Sequence, residues 1–110
     1  MTEITFDEFK KAEIKIGTIL SAEKVPDADK LLRLMINLGE ETPRQILSGI
    51  AMHYSDPNML VGKQVPVLAN LPTRTIRGLE SQGMVLYVVG DDFLTTLEPS
   101  REIPPGTPIQ

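Results

Sequence analysis

The ten residues Lys30–Gly39, KLLRLMINLG, alternate with a period of two. Leu32, Leu34, Ile36 and Leu38 fall on one side and Arg33 and Asn37 on the other, the pattern of a strand with one face in a core. Gly39 stops it. Immediately upstream, Pro26–Asp29 reads PDAD, a turn by composition. Before that turn, Ile14, Ile16, Thr18 and Leu20 again share one side, which predicts a first long strand bent at Gly17. Two strands joined by a tight turn are thus the seed of the fold.

Working outward, Thr5–Glu8 (TFDE) fits a capping box and predicts a short lead-in helix. Downstream, residues 43–50 (PRQILSGI) predict a third strand. Residues 52–62 (MHYSDPNMLVG) carry the Ser, Asp and Pro signals of a short helix. Residues 63–71 (KQVPVLANL) and 83–90 (GMVLYVVG) supply two more strands, and 91–99 (DDFLTTLEP) a further short one. Residues 74–84, RTIRGLESQGM, lack regular alternation and read as a loop. Five main strands, with a helix between the third and fourth and a short further strand at the end, predict an all-β chain, a five-stranded OB-fold Greek-key barrel. Sandwiches of this length show more strands at even spacing. The expected organisation is one domain: a helical lead-in over 1–12, the barrel over 13–97 and a Pro-rich C-terminal extension over 98–110.

Composition bounds what such a barrel does. The chain has 110 residues, 41% hydrophobic and 5% aromatic, enough for one modest core built on Leu, Ile, Val and Met. No cysteine is present, which excludes disulfides and thiolate metal sites and suits a reducing cytoplasm. The N-terminus is acidic where a signal peptide needs basic residues, and no apolar run approaches membrane-spanning length. A cytoplasmic protein without a membrane segment is expected. The net charge of −4 argues against nucleic acid, but its distribution softens the objection. Between Lys30 and Val89 the six cations Lys30, Arg33, Arg44, Lys63, Arg74 and Arg77 face only four carboxylates, so the acidic excess lies at the ends.

Catalysis finds little support. His53 is the single histidine, without spacing that makes a metal site, and a surface or loop position is expected for it. Ser81 misses the Gly-x-Ser-x-Gly frame of a nucleophile elbow, because the first glycine stands one residue too early. Asp27 and Asp29 flank one residue in a turn, a setting for solvation or capping rather than acid–base work. No enzyme and no cofactor are expected.

The segments PDADKLLRLMINLG, RQILSGI, LVGKQVPVLANL and RTIRGLESQGMVL, in this order, resemble the tRNA-binding domain family. That family includes stand-alone dimeric tRNA-binding proteins and the C-terminal appendage of methionyl-tRNA synthetases, and the likeness runs from about Phe6 to about Pro108. It implies an OB-fold that recognises tRNA by shape near its outer corner without aminoacylating it. It also implies a homodimer built around the chain's two ends and, in appended members, a synthetase catalytic core as partner. Carried over residue by residue, it assigns tRNA contacts to Lys30, Ser48, Asn70, Arg74, Arg77, Ser81, Gly83 and Met84, with Leu71 beside Asn70. The physical reading adds Arg33 and Arg44 on strands two and three, where an OB barrel presents basic groups to a nucleic-acid backbone. Lys15 and Thr75 stand where family members often carry an arginine and a further cation. A branch of the same fold resembles secretion-related chaperones, which makes a dimeric protein-binding role the alternative.

Overall fold

The computed structural model describes Met1–Gln110. A five-residue helix α1 (Phe6–Lys10) opens the chain; Thr5 Oγ1 accepts from the Glu8 amide and the Glu8 carboxylate accepts from the Thr5 amide, completing the expected capping box. Strands β1 (Ile14–Val25), β2 (Ala28–Asn37), β3 (Arg44–Ser48) and β4 (Gln64–Leu68) follow. They continue with the short strands β5 (Arg74–Ile76), β6 (Leu79–Ser81), β7 (Met84–Val85), β8 (Tyr87–Val89) and β9 (Leu94–Thr96). The main sheet runs β3-β2-β1-β4-β7, all antiparallel.

The alternation in β2 does what it predicts. Leu32, Leu34, Ile36 and Leu38 are buried, and they join Ile19, Ile46, Leu60, Val65, Val67 and Val85 in one core. β1 serves two neighbours, pairing Ile14–Thr18 with β4 and Thr18–Val25 with β2. A long strand that changes partner midway is how a small sheet curls into a barrel. The expected bend at Gly17 is displaced: Gly17 pairs regularly with Val65, and the irregularity falls between Ile19 and Ser21, where Leu20 is the extra residue. Gly17 is required for another reason. A Cβ there would lie 2.5 Å from the Ile36 side chain.

Closure between β3 and the β6–β7 segment uses side chains as much as backbone. Gln82 N donates to Gln45 O at 2.8 Å, Gln45 N to Gln82 Oε1 at 3.1 Å, Gln45 Nε2 to Glu80 O at 2.8 Å, and Leu47 N to Ser81 Oγ at 3.0 Å. The expected helix between β3 and β4 is two 3-10 turns, Ala51–His53 and Pro57–Leu60, the second capped by Asp56. The strand expected over 83–90 is broken: Met84–Val85 closes the barrel, and Tyr87–Val89 turns away to pair with β9. The C-terminal extension runs along the free edge of β1, with Ile16 N donating to Thr107 O and Ile109 N to Ile14 O.

Candidate nucleic-acid interface

The segment expected to be a loop is a β-hairpin. β5 and β6 pair Arg74 with Ser81, Thr75 with Glu80 and Ile76 with Leu79, leaving a two-residue tip, Arg77–Gly78. Both tip residues have positive φ, 53° and 79°, the signature of a type I′ turn whose twist suits a tight hairpin. Alternation within three-residue strands is too short to register as a period. The missed signal is the pair Ile76 and Leu79 flanking Arg-Gly.

Those two side chains explain the hairpin's position. Ile76 and Leu79 pack with Leu31 against Val25, Ala28 and Leu47, a small cluster separate from the main core. Lys30 lies between Ala28 and Leu31, and Arg77 follows Ile76, so docking of the hairpin brings their backbones to one edge of the barrel. Lys30, Arg74 and Arg77 are all exposed, and none is in a salt bridge. Lys24, opposite Leu32 at the end of β1, is exposed and unpaired on the same margin; nothing in its local sequence sets it apart from an ordinary surface lysine.

The other basic candidates differ. Arg33 is half-buried and pairs with Glu23 at 3.2 Å, which offsets much of its charge, and its Nε is buried without a partner. Arg44 spends its guanidinium inside the protein. Its Nε and Nη2 donate to the two Glu40 carboxylate oxygens at 2.8 Å each, and Nη1 to Ala69 O at 2.6 Å and Gln82 O at 3.1 Å. This fork holds the Glu40 carboxyl below its ordinary pKa, chiefly through the hydrogen bond, and raises that of Arg44.

The polar candidates are also engaged within the fold. Ser48 is buried and accepts from the Tyr87 hydroxyl at 2.9 Å; burial raises the Tyr87 pKa to about 12, although that hydrogen bond pulls the other way. Ser81 is buried, accepts from Leu47 N and donates to Gly83 O at 3.3 Å. Asn70 is exposed but bridges the lead-in, accepting from Glu13 N at 2.9 Å and donating to Lys11 O at 2.6 Å. Gly83 has φ +128°, and a Cβ there would lie 3.0 Å from Leu68 O, so barrel geometry alone requires glycine. Arg44, Ser48, Asn70 and Ser81 therefore have internal roles that the sequence did not disclose. Met84 and Leu71 are exposed, Met84 by 42%. His53 is exposed on a 3-10 turn, and no three His, Cys, Asp or Glu side chains converge.

A small closed barrel with cations on a docked hairpin defines a binding module of the OB class. The family model described as "Putative tRNA binding domain" matches residues 14–108, and the chain belongs to this tRNA-binding domain family, a non-catalytic module. A methionine–tRNA ligase from Bacteroides fragilis is 48% identical over 108 residues, which cover 97% of this chain and 16% of that protein. The chain thus spans a small fraction of the length of the curated relatives it matches. Among solved structures, a MetRS related protein from Pyrococcus horikoshii superposes with a TM-score of 0.92 at 32% identity, covering 100% of both chains. The chaperone CsaA from Bacillus anthracis superposes with a TM-score of 0.88 at 31% identity, over 99% of this chain and 100% of that one.

Proposed function

We propose that this chain binds tRNA by shape and charge, without catalysis, through the barrel edge that carries Lys30, Arg74 and Arg77. The observation that carries the reading is the docking of Ile76 and Leu79 on Val25, Ala28 and Leu47. It brings the hairpin that carries Arg74 and Arg77 onto the margin that carries Lys30, and none of the three cations is in a salt bridge. Arg77 at a tight-turn tip offers a planar fork to phosphate oxygens, while Gly78 lets backbone approach. Met84 and Leu71 give apolar surface for a base or ribose. Arg33 contributes less, being tied to Glu23. Gly83 shapes the approach, whereas Arg44, Ser48, Asn70 and Ser81 hold the platform. The module acts alone or appended to a methionyl-tRNA synthetase core in the cytoplasm, raising affinity for tRNA.

A homodimer suits the two ends. α1 buries none of its residues on its own barrel, and Phe6 is 70% exposed. With Phe9, Ile14, Pro108 and Ile109 it lines an open apolar groove that a second copy would cover in an isologous contact. Towards the C-terminal end, Leu94 packs on its own core, while Leu97 stays exposed. Pairing would join two modest basic edges into one surface.

Salt tests the phosphate contacts. With three to four cations engaged, log affinity for bulk tRNA falls against log salt with a slope of about −2 to −4. Salt-insensitive binding would sink the model. The protein-binding alternative draws on the exposed Val88, Val89, Phe93 and Leu97 around the β8–β9 hairpin and on the likeness to the chaperone. Binding to an unfolded preprotein with no shift of bulk tRNA in a gel would reverse the ranking.

A further inference from the structure

The chain leaves the barrel after Ala69, builds the β5–β6 hairpin and returns at Gln82. One side chain holds both ends of that excursion. Arg44 Nη1 donates to Ala69 O at 2.6 Å and to Gln82 O at 3.1 Å, the two carbonyls just outside β4 and β6. The same guanidinium is fixed in plane by Glu40, whose two oxygens accept from Nε and Nη2 at 2.8 Å each. The side chain is only 23% exposed. A bidentate carboxylate on one edge and two carbonyls on the next need a planar fork; the compact ammonium of lysine cannot satisfy both.

We infer that Arg44 is a positioning residue for RNA binding: it closes the neck of the hairpin and so fixes where Arg74 and Arg77 stand relative to Lys30, without touching RNA. The inference rests on the tRNA-binding reading above. Two three-residue strands are marginal on their own, and the hairpin's other anchors are the Ile76 and Leu79 contacts and the bonds that Gln45 and Leu47 donate to Glu80 O and Ser81 Oγ in β6. With the neck open the hairpin samples orientations in which its arginines and Lys30 do not engage together. If about one molecule in ten holds the competent placement, apparent affinity falls about tenfold.

Positioning and direct contact separate cleanly in a salt titration of tRNA binding by Arg44→Met, Arg44→Lys, Arg77→Ala and Arg77→Lys. Each variant is checked by thermal melting and by amide hydrogen exchange over Thr75–Glu80. A positioning role predicts that Arg44→Met and Arg44→Lys lose affinity alike, about tenfold, keep the parent's salt slope and exchange faster in the hairpin. Arg77→Ala, by contrast, weakens binding and flattens the slope by somewhat under one unit, about 0.9, and Arg77→Lys retains most of the affinity. If Arg44→Met flattens the slope while Arg44→Lys binds like the parent, Arg44 touches phosphate and the inference is overturned. Should Arg44→Met fail to fold, the two lysine variants still decide: equal retention of affinity overturns it. Parent-like binding by both Arg44 variants beside a weakened Arg77→Ala defeats the neck alone, whereas an Arg77→Ala that binds like the parent defeats the tRNA-binding edge itself.

Discussion

The β1–β4 barrel and the 70–82 excursion are held by different forces. In the barrel, Leu32, Leu34, Ile36, Ile46, Val65 and Val67 have no exposed surface, and stability follows from apolar area removed from water. In the excursion only Ser81 is buried, and placement depends on one guanidinium, reciprocal glutamine bonds and two apolar side chains. The first region tolerates no lost volume. The second can loosen without unfolding the molecule, which makes it the sensitive part of a binding surface.

Substitutions ought to separate the regions by size of effect. Leu34→Ala removes a fully buried side chain at the centre of the barrel and is expected to cost about 2–5 kcal/mol in a denaturant titration, with tRNA binding lost only as the protein unfolds. A loss below about 1 kcal/mol would mean that the core is far looser than its burial indicates. Alkaline pH probes the end of the barrel. Tyr87 keeps its proton up to about pH 12 when folded, whereas an unfolded tyrosine loses it near 10. The folded state therefore binds more protons between these values, so stability is intact below pH 10 and falls as pH rises through the window, by about 2–3 kcal/mol. Tyr87→Phe should abolish that dependence.

Within the excursion the effects are smaller and local. Gly78 has φ +79° with nothing within 4 Å of an added Cβ, so Gly78→Ala meets only backbone strain, about 1–2 kcal/mol. Amide exchange over Thr75–Glu80 is expected to speed while that of β2 stays protected; loss of protection throughout would show that the two regions unfold together. Arg77→Ala is the mildest. It should leave stability unchanged and weaken all tRNAs about equally, by roughly 1 kcal/mol, as a phosphate contact does. A change in preference among tRNAs would mean that Arg77 reads bases.

The same contrast explains what could be read from the chain. β2 was legible because Leu32, Leu34 and Ile36 repeat often enough to set a period, and the capping box needs only four residues; in β1 the alternation holds only as far as Thr18, after which the extra residue leaves Leu20 exposed and Ile19 buried. The hairpin was not, since Arg74–Ile76 and Leu79–Ser81 are too short for periodicity and Arg77 occupies a left-handed position that sequence rarely assigns to arginine. Lys30, Arg33, Arg74 and Arg77 could be picked out as candidate cations. Arg44 could not be told from them, because its partners Glu40, Ala69 and Gln82 come together only when the barrel closes. Ser48 and Ser81 look like surface hydroxyls for the same reason.

Amide chemical-shift mapping of the protein titrated with tRNA at low salt decides whether the edge carrying Lys30, Arg74 and Arg77 is where RNA binds. Shifts are expected to concentrate at Ala28–Leu31 and Arg74–Leu79, with Met84 alongside, and to collapse as salt is raised. Shifts confined to the β8–β9 hairpin or to the groove between α1 and Ile109, with Arg74–Leu79 unmoved, would contradict that placement.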